Sequence, residues 1–281
     1  MIPAEFDYVV PDSVEEAVRM LAENGEDAKL LAGGHSLLPL MKMRLAAPTL
    51  LIDLRRIPGL GGIERADGAW RIGAMTRHVE LQDTEELGLV QETAAGIADQ
   101  QVRNRGTIGG SLAHGDPASD LPAVLLATEG SVTASGASGE REIPAAQLFE
   151  DYLTTAVGAE EVLTHVTIPA LEGYGWGYEK FNRRAEDWAM VGVCALVKKA
   201  GDGSCEDVRV GLTHMGSTPL RATHVEQALR GQPLDAERIA TAAEQAADGT
   251  DPPADLNATS DYKRHLARVL CRRALSAAAG S

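Results

Sequence analysis

Two glycine clusters carry the residues best suited to chemistry in this chain: Ala32-Gly33-Gly34-His35-Ser36 and, further along, Arg105-Gly106-Thr107-Ile108-Gly109-Gly110-Ser111. A Gly-Gly pair turns sharply and can aim several backbone N–H groups into one concavity, which suits a pyrophosphate. The hydroxyls of Ser36, Thr107 and Ser111 add donors of the same kind. The first cluster taken alone is a weak signal, because most Gly-Gly pairs are simply turns. Two of them on one domain could grip a single nucleotide from both sides. Neither contains the Gly-Lys-Ser/Thr of a Walker loop, and neither matches the Gly-x-Gly-x-x-Gly of a Rossmann turn, so the ligand need not be a standard mononucleotide or NAD.

Other chemistry finds little support. The seven histidines are scattered, with no His-Glu-x-x-His, and the three cysteines, Cys194, Cys205 and Cys271, lie far apart, so neither a protein metal site nor a disulfide framework is expected. No Gly-x-Ser-x-Gly elbow is present, which leaves a serine hydrolase without a foothold. His35 reads best as a side chain that shapes its loop. Asp116 reads as a cap, and Arg183-Arg184 and Arg272-Arg273 are as readily surface or subunit contacts as anything catalytic.

The elements that must hold these clusters follow from periodicity. Phe6 to Val10 alternates like a strand, and Ser13-Val14-Glu15-Glu16 forms a capping box for a helix with Val14, Ala17, Val18 and Leu21 on one face and Gly25 at its end. Ala28 to Ala32 is a buried strand that delivers the first glycine cluster. Thr49 to Leu54 and Trp70 to Met75 are further strands, Thr76 caps a helix carrying Val79 and Leu81, and helical spacing returns between Leu87 and Ile97. After the second cluster, Asp116-Pro117 supplies a cap and first-turn proline for a helix through Leu126. Strands resume at Ser131 to Ala134 and Val162 to Ile168. The glycine and aromatic stretch from Leu171 to Gly177 reads as a boundary between residues 1–172 and 173–281. Beyond it, Tyr178 to Phe181, Val191 to Lys198 and Val208 to Thr213 read as antiparallel neighbours. Helices at Thr223 to Leu229, Glu237 to Ala247 and Tyr262 to Ala278 follow, with an alanine-rich end expected to fray. The fold class is α+β.

Composition excludes several partners. With 26 basic against 41 acidic side chains the net charge is -15, which repels nucleic acid and anionic membrane surfaces. No stretch approaches a membrane helix and nothing near Met1 looks like a secretory signal, so a cytoplasmic chain without a transmembrane segment is expected.

Taken in order, Ala32-Gly33-Gly34-His35-Ser36, Thr107-Ile108-Gly109-Gly110-Ser111 and Asp116-Pro117-Ala118-Ser119-Asp120 resemble the paired FAD loops in the flavoprotein (medium) subunits of the molybdenum hydroxylase and xanthine dehydrogenase family. Glu160-Glu161-Val162-Leu163 running to Ile168-Pro169, Tyr178-Glu179-Lys180-Phe181 with Arg183-Arg184, and Thr218-Pro219-Leu220-Arg221-Ala222 continue the likeness over nearly the whole chain. The resemblance implies a two-part FAD-binding domain of the PCMH type over residues 1–172 and a smaller α+β domain with an antiparallel sheet and helices over 173–281. It implies non-covalent FAD held by residues 32–36 and 107–111, with Asp120 as an acceptor from the cofactor, Leu163 beside a ring and Lys180 at or next to a contacting position. Trp188 lies where it would cover the flavin or else fill the domain boundary.

The same resemblance implies partners: a small subunit with two [2Fe-2S] clusters and a large subunit with the molybdopterin cofactor, in a dimer of heterotrimers. Electrons would pass through the flavin to an external acceptor, with the complex peripheral at the inner membrane face through its partners if it meets a membrane at all. The stretch Gly34 to Leu45 looks most like the carbon monoxide dehydrogenase branch. Aromatic N-heterocycle and purine hydroxylases have similar flavin subunits, and a free-standing flavin oxidase or reductase, or an assembly protein with a structural flavin, remains an alternative.

Overall fold

The computed structural model describes residues 2–280. The chain opens with a parallel three-stranded sheet. Its strands are β1 (Asp7–Val9), β2 (Ala28–Leu31) and β3 (Leu50–Asp53), in the order β1-β3-β2. Helix α1 (Val14–Asn24) crosses between the first two and buries Ala17, Val18 and Leu21. The Ser13 hydroxyl accepts from the Glu16 amide at 3.1 Å, while the Glu16 carboxylate reaches back one residue beyond the box, to the amide of Asp12. Leu37 to Lys42 forms the short helix α2, so the apolar run after the first glycine cluster is helical.

A five-stranded antiparallel sheet comes next, in the order β4-β5-β10-β6-β7. Its outer hairpin partners, β4 (Ile63–Ala66) and β7 (Gly139–Pro144), are mostly exposed and polar, which hid them from an alternation count. Between β5 (Ala69–Gly73) and β6 (Ser131–Gly136) the chain makes α3 (His78–Gln82), α4 (Leu89–Ala95), α5 (Gln100–Arg103), α6 (Ile108–His114) and α7 (Asp120–Ala127). After β7 come α8 (Ala145–Leu148), the two-stranded pair β8 (Phe149–Asp151) and β9 (Thr154–Thr155), and then the central strand β10 (Val162–Pro169).

Three local expectations are corrected here. Thr76 does not cap α3: its hydroxyl is tied to the Gly62 backbone, and the cap position falls to Arg77, whose amide donates to the Glu80 carboxylate at 3.0 Å. Helix α7 starts at Asp120 rather than at Pro117, because Asp116 closes a turn by accepting from the Ala118 amide. Gly109 and Gly110 lie in the first turns of α6 rather than in a free loop, with the Thr107 side chain accepting from the Gly110 amide at 3.2 Å.

The last third is a four-stranded antiparallel sheet, β11 (Tyr174–Phe181), β12 (Val191–Lys199), β13 (Cys205–Thr213) and β14 (Leu220–Arg221), covered by α9 (Thr223–Leu229), α10 (Ala236–Ala243) and α11 (Ser260–Ala278). Two of the glycines read as linker, Gly175 and Gly177, are strand residues: a Cβ on Gly175 would lie 2.1 Å from the Ala278 carbonyl oxygen, and one on Gly177 2.4 Å from that of Ala274. Their bare backbone lets α11 lie flat on the sheet, so the alanine-rich end is packed, with Ala274, Leu275 and Ala278 buried. Cys194 and Leu196 of β12 enter the core beneath the five-stranded sheet, which ties the two halves together. Among the described residues no helix is long and apolar enough to cross a membrane, and no group of three or more His, Cys, Asp or Glu is placed to hold a metal ion.

Candidate functional site

A cleft of about 530 Å³ opens where the ends of β2 and β5, the start of α6 and strand β11 converge. It brings together Ala32, Gly33, Gly34, His35, Ser36, Thr107, Gly109, Gly110, Ser111, Asp120, Leu163 and Lys180 from the sequence-derived set. Ile108 is left out: it is 1% exposed and belongs to the core under the five-stranded sheet, so its side chain does not reach the cleft.

The first cluster is the better anion cradle. The amides of Gly33, Gly34, His35 and Ser36 donate to no acceptor among the described residues, and Gly34 takes φ +77°, which favours glycine. Four free N–H groups on one turn fit a polyphosphate. His35 is exposed, with its Nδ1 3.2 Å from the Gly33 carbonyl, so it braces the turn from outside rather than packing within it.

The second cluster works differently from expectation. Its amides are committed inside the protein: Ile108 to the Thr76 carbonyl, Gly109 to that of Ala74, Gly110 to the Thr107 hydroxyl and Ser111 to the Thr107 carbonyl. Thr107 is thereby used as a cap. What remains for a ligand is the Thr107 amide, which donates to no acceptor among the described residues, and the Ser111 hydroxyl, paired with Ser119 at 2.7 Å. The glycines themselves serve protein contacts. A Cβ on Gly33 would stand 2.3 Å from the Arg105 carbonyl oxygen, and one on Gly109 2.5 Å from the Ala74 Cβ. The two clusters therefore touch each other directly, backbone against backbone.

The far wall is charged but compensated. Lys180 Nζ lies 2.8 Å from Asp120 Oδ2 and donates to the Gly96 carbonyl at 3.1 Å, while the Tyr178 hydroxyl donates to Asp120 Oδ1 at 2.5 Å. Burial, with Asp120 beside it, holds the Tyr178 phenol well above its usual range, so it stays a donor. Trp188 is 53% exposed on the rim and fills no core; Glu186 and Asp187 stand beside it. Sequence reasoning passed over His78, Val102 and Asp187, all of which line the cleft. Only the placement of His78 just past a strand end, as with the first glycine cluster, hinted at this.

A cleft built from strand-end turns with a nest of free amides suits a ligand that carries phosphate groups. Residues 4–171 match the family model of the FAD binding domain in molybdopterin dehydrogenase, and residues 176–278 match the CO dehydrogenase flavoprotein C-terminal domain. The carbon monoxide dehydrogenase medium chain of Hydrogenophaga pseudoflava is 43% identical, covering 99% of this chain and 98% of that one. The 6-hydroxypseudooxynicotine dehydrogenase complex subunit alpha of Paenarthrobacter nicotinovorans is 41% identical over 99% of this chain and 96% of its own length. Among solved structures, the carbon monoxide dehydrogenase of Hydrogenophaga pseudoflava superposes with a TM-score of 0.96 at 44% identity, covering 99% of this chain and 98% of that one. Quinoline 2-oxidoreductase from Pseudomonas putida 86 follows with a TM-score of 0.95 at 32% identity, covering 100% and 99%. The chain belongs to the family of FAD-binding subunits of molybdopterin dehydrogenases, and is an FAD-dependent oxidoreductase subunit of that family.

Proposed function

We propose that this chain is an electron relay: it holds FAD non-covalently in the cleft, accepts electrons from the [2Fe-2S] clusters of a small partner subunit, and passes them to an external acceptor. The single observation behind this reading is the turn of Gly33 to Ser36, whose four amides have no acceptor among the described residues and which lines a cleft shared by both halves of the chain. These amides and Ser36 would hold the diphosphate, Ser111 a neighbouring hydroxyl, Leu163 a ring face, and Asp120 with Lys180 the polar edge nearest β11. When bound, FAD supplies two-electron and one-electron redox chemistry; the protein's part is to position it and exclude water. Residues 1–172 would form the FAD-binding domain and 173–281 the part that closes over it. Substrate oxidation falls to a large molybdopterin subunit, in a cytoplasmic dimer of heterotrimers.

For the substrate we favour carbon monoxide, on the Gly34 to Leu45 stretch and the 43% identity to a carbon monoxide dehydrogenase medium chain. Oxidation of an N-heterocycle is the second reading, favoured by the 41% identity to a 6-hydroxypseudooxynicotine dehydrogenase subunit. The test is to purify the native complex, identify its chains and follow flavin absorbance while adding carbon monoxide or a heterocycle. Bleaching by carbon monoxide supports the first reading and bleaching by the heterocycle the second. A complex free of flavin, or a flavin that never bleaches with any reductant of the molybdenum site, would sink the relay.

A further inference from the structure

His78 opens α3 just beyond the end of β5, lines the cleft and is 5% exposed. Its Nδ1 is buried and has no hydrogen-bond partner among the described residues, although buried polar atoms are ordinarily paired. No hydrogen bond to another described residue involves Nε2 either, so nothing inside the protein explains why a polar ring sits where a leucine would fill the space without burying polar nitrogens.

The opposite edge of the ring lies at the junction of the two glycine clusters. A Cβ on Gly106 would stand 2.7 Å from His78 Cδ2 and 2.9 Å from Nε2, and a Cβ on Gly33 would stand 2.8 Å from the Gly106 Cα. Burial, with His35 and Arg103 nearby, pushes the ring down to about 4, so it is neutral at neutral pH and carries one proton. A buried N–H without an acceptor is rarer than a bare acceptor. Nδ1 is the wholly buried nitrogen and Nε2 stands at the junction, so a proton on Nε2, with the bare lone pair on Nδ1, is the arrangement in which this ring can serve a ligand.

We infer that His78 Nε2–H is a donor to a phosphate oxygen of the bound dinucleotide, completing from the β5 side the cradle that the Gly33 to Ser36 amides form from the β2 side. The inference rests on the cleft being the dinucleotide site proposed above. It assigns His78 a binding role that needs the neutral ring, and it explains an orphaned polar side chain that internal packing does not.

The test titrates the full, flavin-free chain with FAD, with ADP, which has the diphosphate but no flavin, and with riboflavin, which has no phosphate. The wild type is compared with His78→Leu, His78→Asn and His78→Gln. Losing one hydrogen bond to a charged group should weaken FAD and ADP roughly tenfold to a hundredfold in the Leu and Asn variants. Riboflavin binding should be unchanged. The Gln variant should recover most of the loss, because its amide nitrogen reaches about where Nε2 stands. The ligand-free Leu variant should melt no lower than wild type, since no internal hydrogen bond is lost. Equal FAD and ADP affinity in all four proteins overturns the assignment of His78 alone, as does an equal loss for riboflavin or a failure of Gln to outperform Asn. A wild type that binds neither FAD nor ADP overturns the reading of the cleft and the inference with it.

Discussion

Replacing Lys180 by methionine should unsettle the joint between the two halves of the chain. The lysine and Asp120 side chains are 9% and 4% exposed, with Nζ 2.8 Å from Oδ2. Methionine keeps nearly the same volume and removes the charge, leaving a buried carboxylate with only the Tyr178 hydroxyl, and the Gly96 carbonyl without its donor. Breaking one side of a buried pair costs roughly 3–5 kcal/mol. Because Tyr178 still donates, the lower end, about 3 kcal/mol, is the figure to expect. At about 2–4 °C per kcal/mol for 150–250 residues, the melting temperature should fall by about 6–12 °C. Thermal melts of ligand-free wild type, Lys180→Met, Asp120→Leu and the double variant make a double-mutant cycle. The double variant should recover much of the loss, since an apolar pair of similar shape leaves no charge buried. A single variant that melts with wild type, or a cycle whose effects simply add, would refute the claim that this pair is desolvated and coupled.

Three further outcomes are expected. Gly33→Ala should destabilise the ligand-free chain by about 1–3 kcal/mol, because its Cβ meets the Arg105 carbonyl oxygen at 2.3 Å; Gly61→Ala, in open space, is the control, and equal melts for the two would deny the contact between clusters. His78 is held at about 4 against an ordinary value of 6.5, so the unfolded chain takes up a proton first. Stability carried by this group is whole above about pH 6.5 and is lost as pH falls towards 4, and His78→Gln should flatten that part of a stability–pH profile; an unchanged slope would count against a neutral buried ring. Burial alone would raise Asp255, but hydrogen bonds from Lys263 at 2.6 Å and from the amides of Asn257 and Ala258 outweigh it and hold the carboxyl at about 2. Its contribution is therefore complete above about pH 4 and disappears as pH falls through 2, and a Lys263→Met variant that kept the same acid limb would show the pairing to be idle.

Where a segment's burial depended on its own periodicity, the sequence told its shape. Helix α1 shows this: Ala17, Val18 and Leu21 recur at helical spacing, Ser13 caps and Gly25 ends it, and the structure buries those three residues. Strand β12 shows it too, since a run from Val191 buried on both sides reads as apolar throughout. The failures share a cause, which is that the deciding partner is distant in sequence. Strand β7 is exposed along most of its length and exists because β6 offers it a ladder. Gly175 and Gly177 resemble linker residues until α11, a hundred residues on, comes to rest on them. Thr76 has the side chain of a cap, yet Gly62 takes its hydroxyl first.

The site divides along the same line, and the division changes what its glycines mean. Residue type alone read Gly33, Gly34, Gly109 and Gly110 as room for a pyrophosphate, whereas much of that room is taken by the protein itself. Only Gly34, at φ +77° within a turn of free amides, owes its identity to a conformation that shapes the cradle. Gly33 and Gly109 are small because Arg105 and Ala74 are already there, so substituting them tests the assembly of the cleft before it tests any ligand. The residue that faces the ligand without any internal duty is His78, and no motif surrounds it. A motif is visible when several constraints fall on neighbouring positions; a single donor delivered by a strand end carries one constraint and leaves no pattern. Binding measurements should accordingly separate the two kinds of residue: glycine variants should lose stability and affinity together, while His78 variants should lose affinity for phosphate-bearing ligands alone.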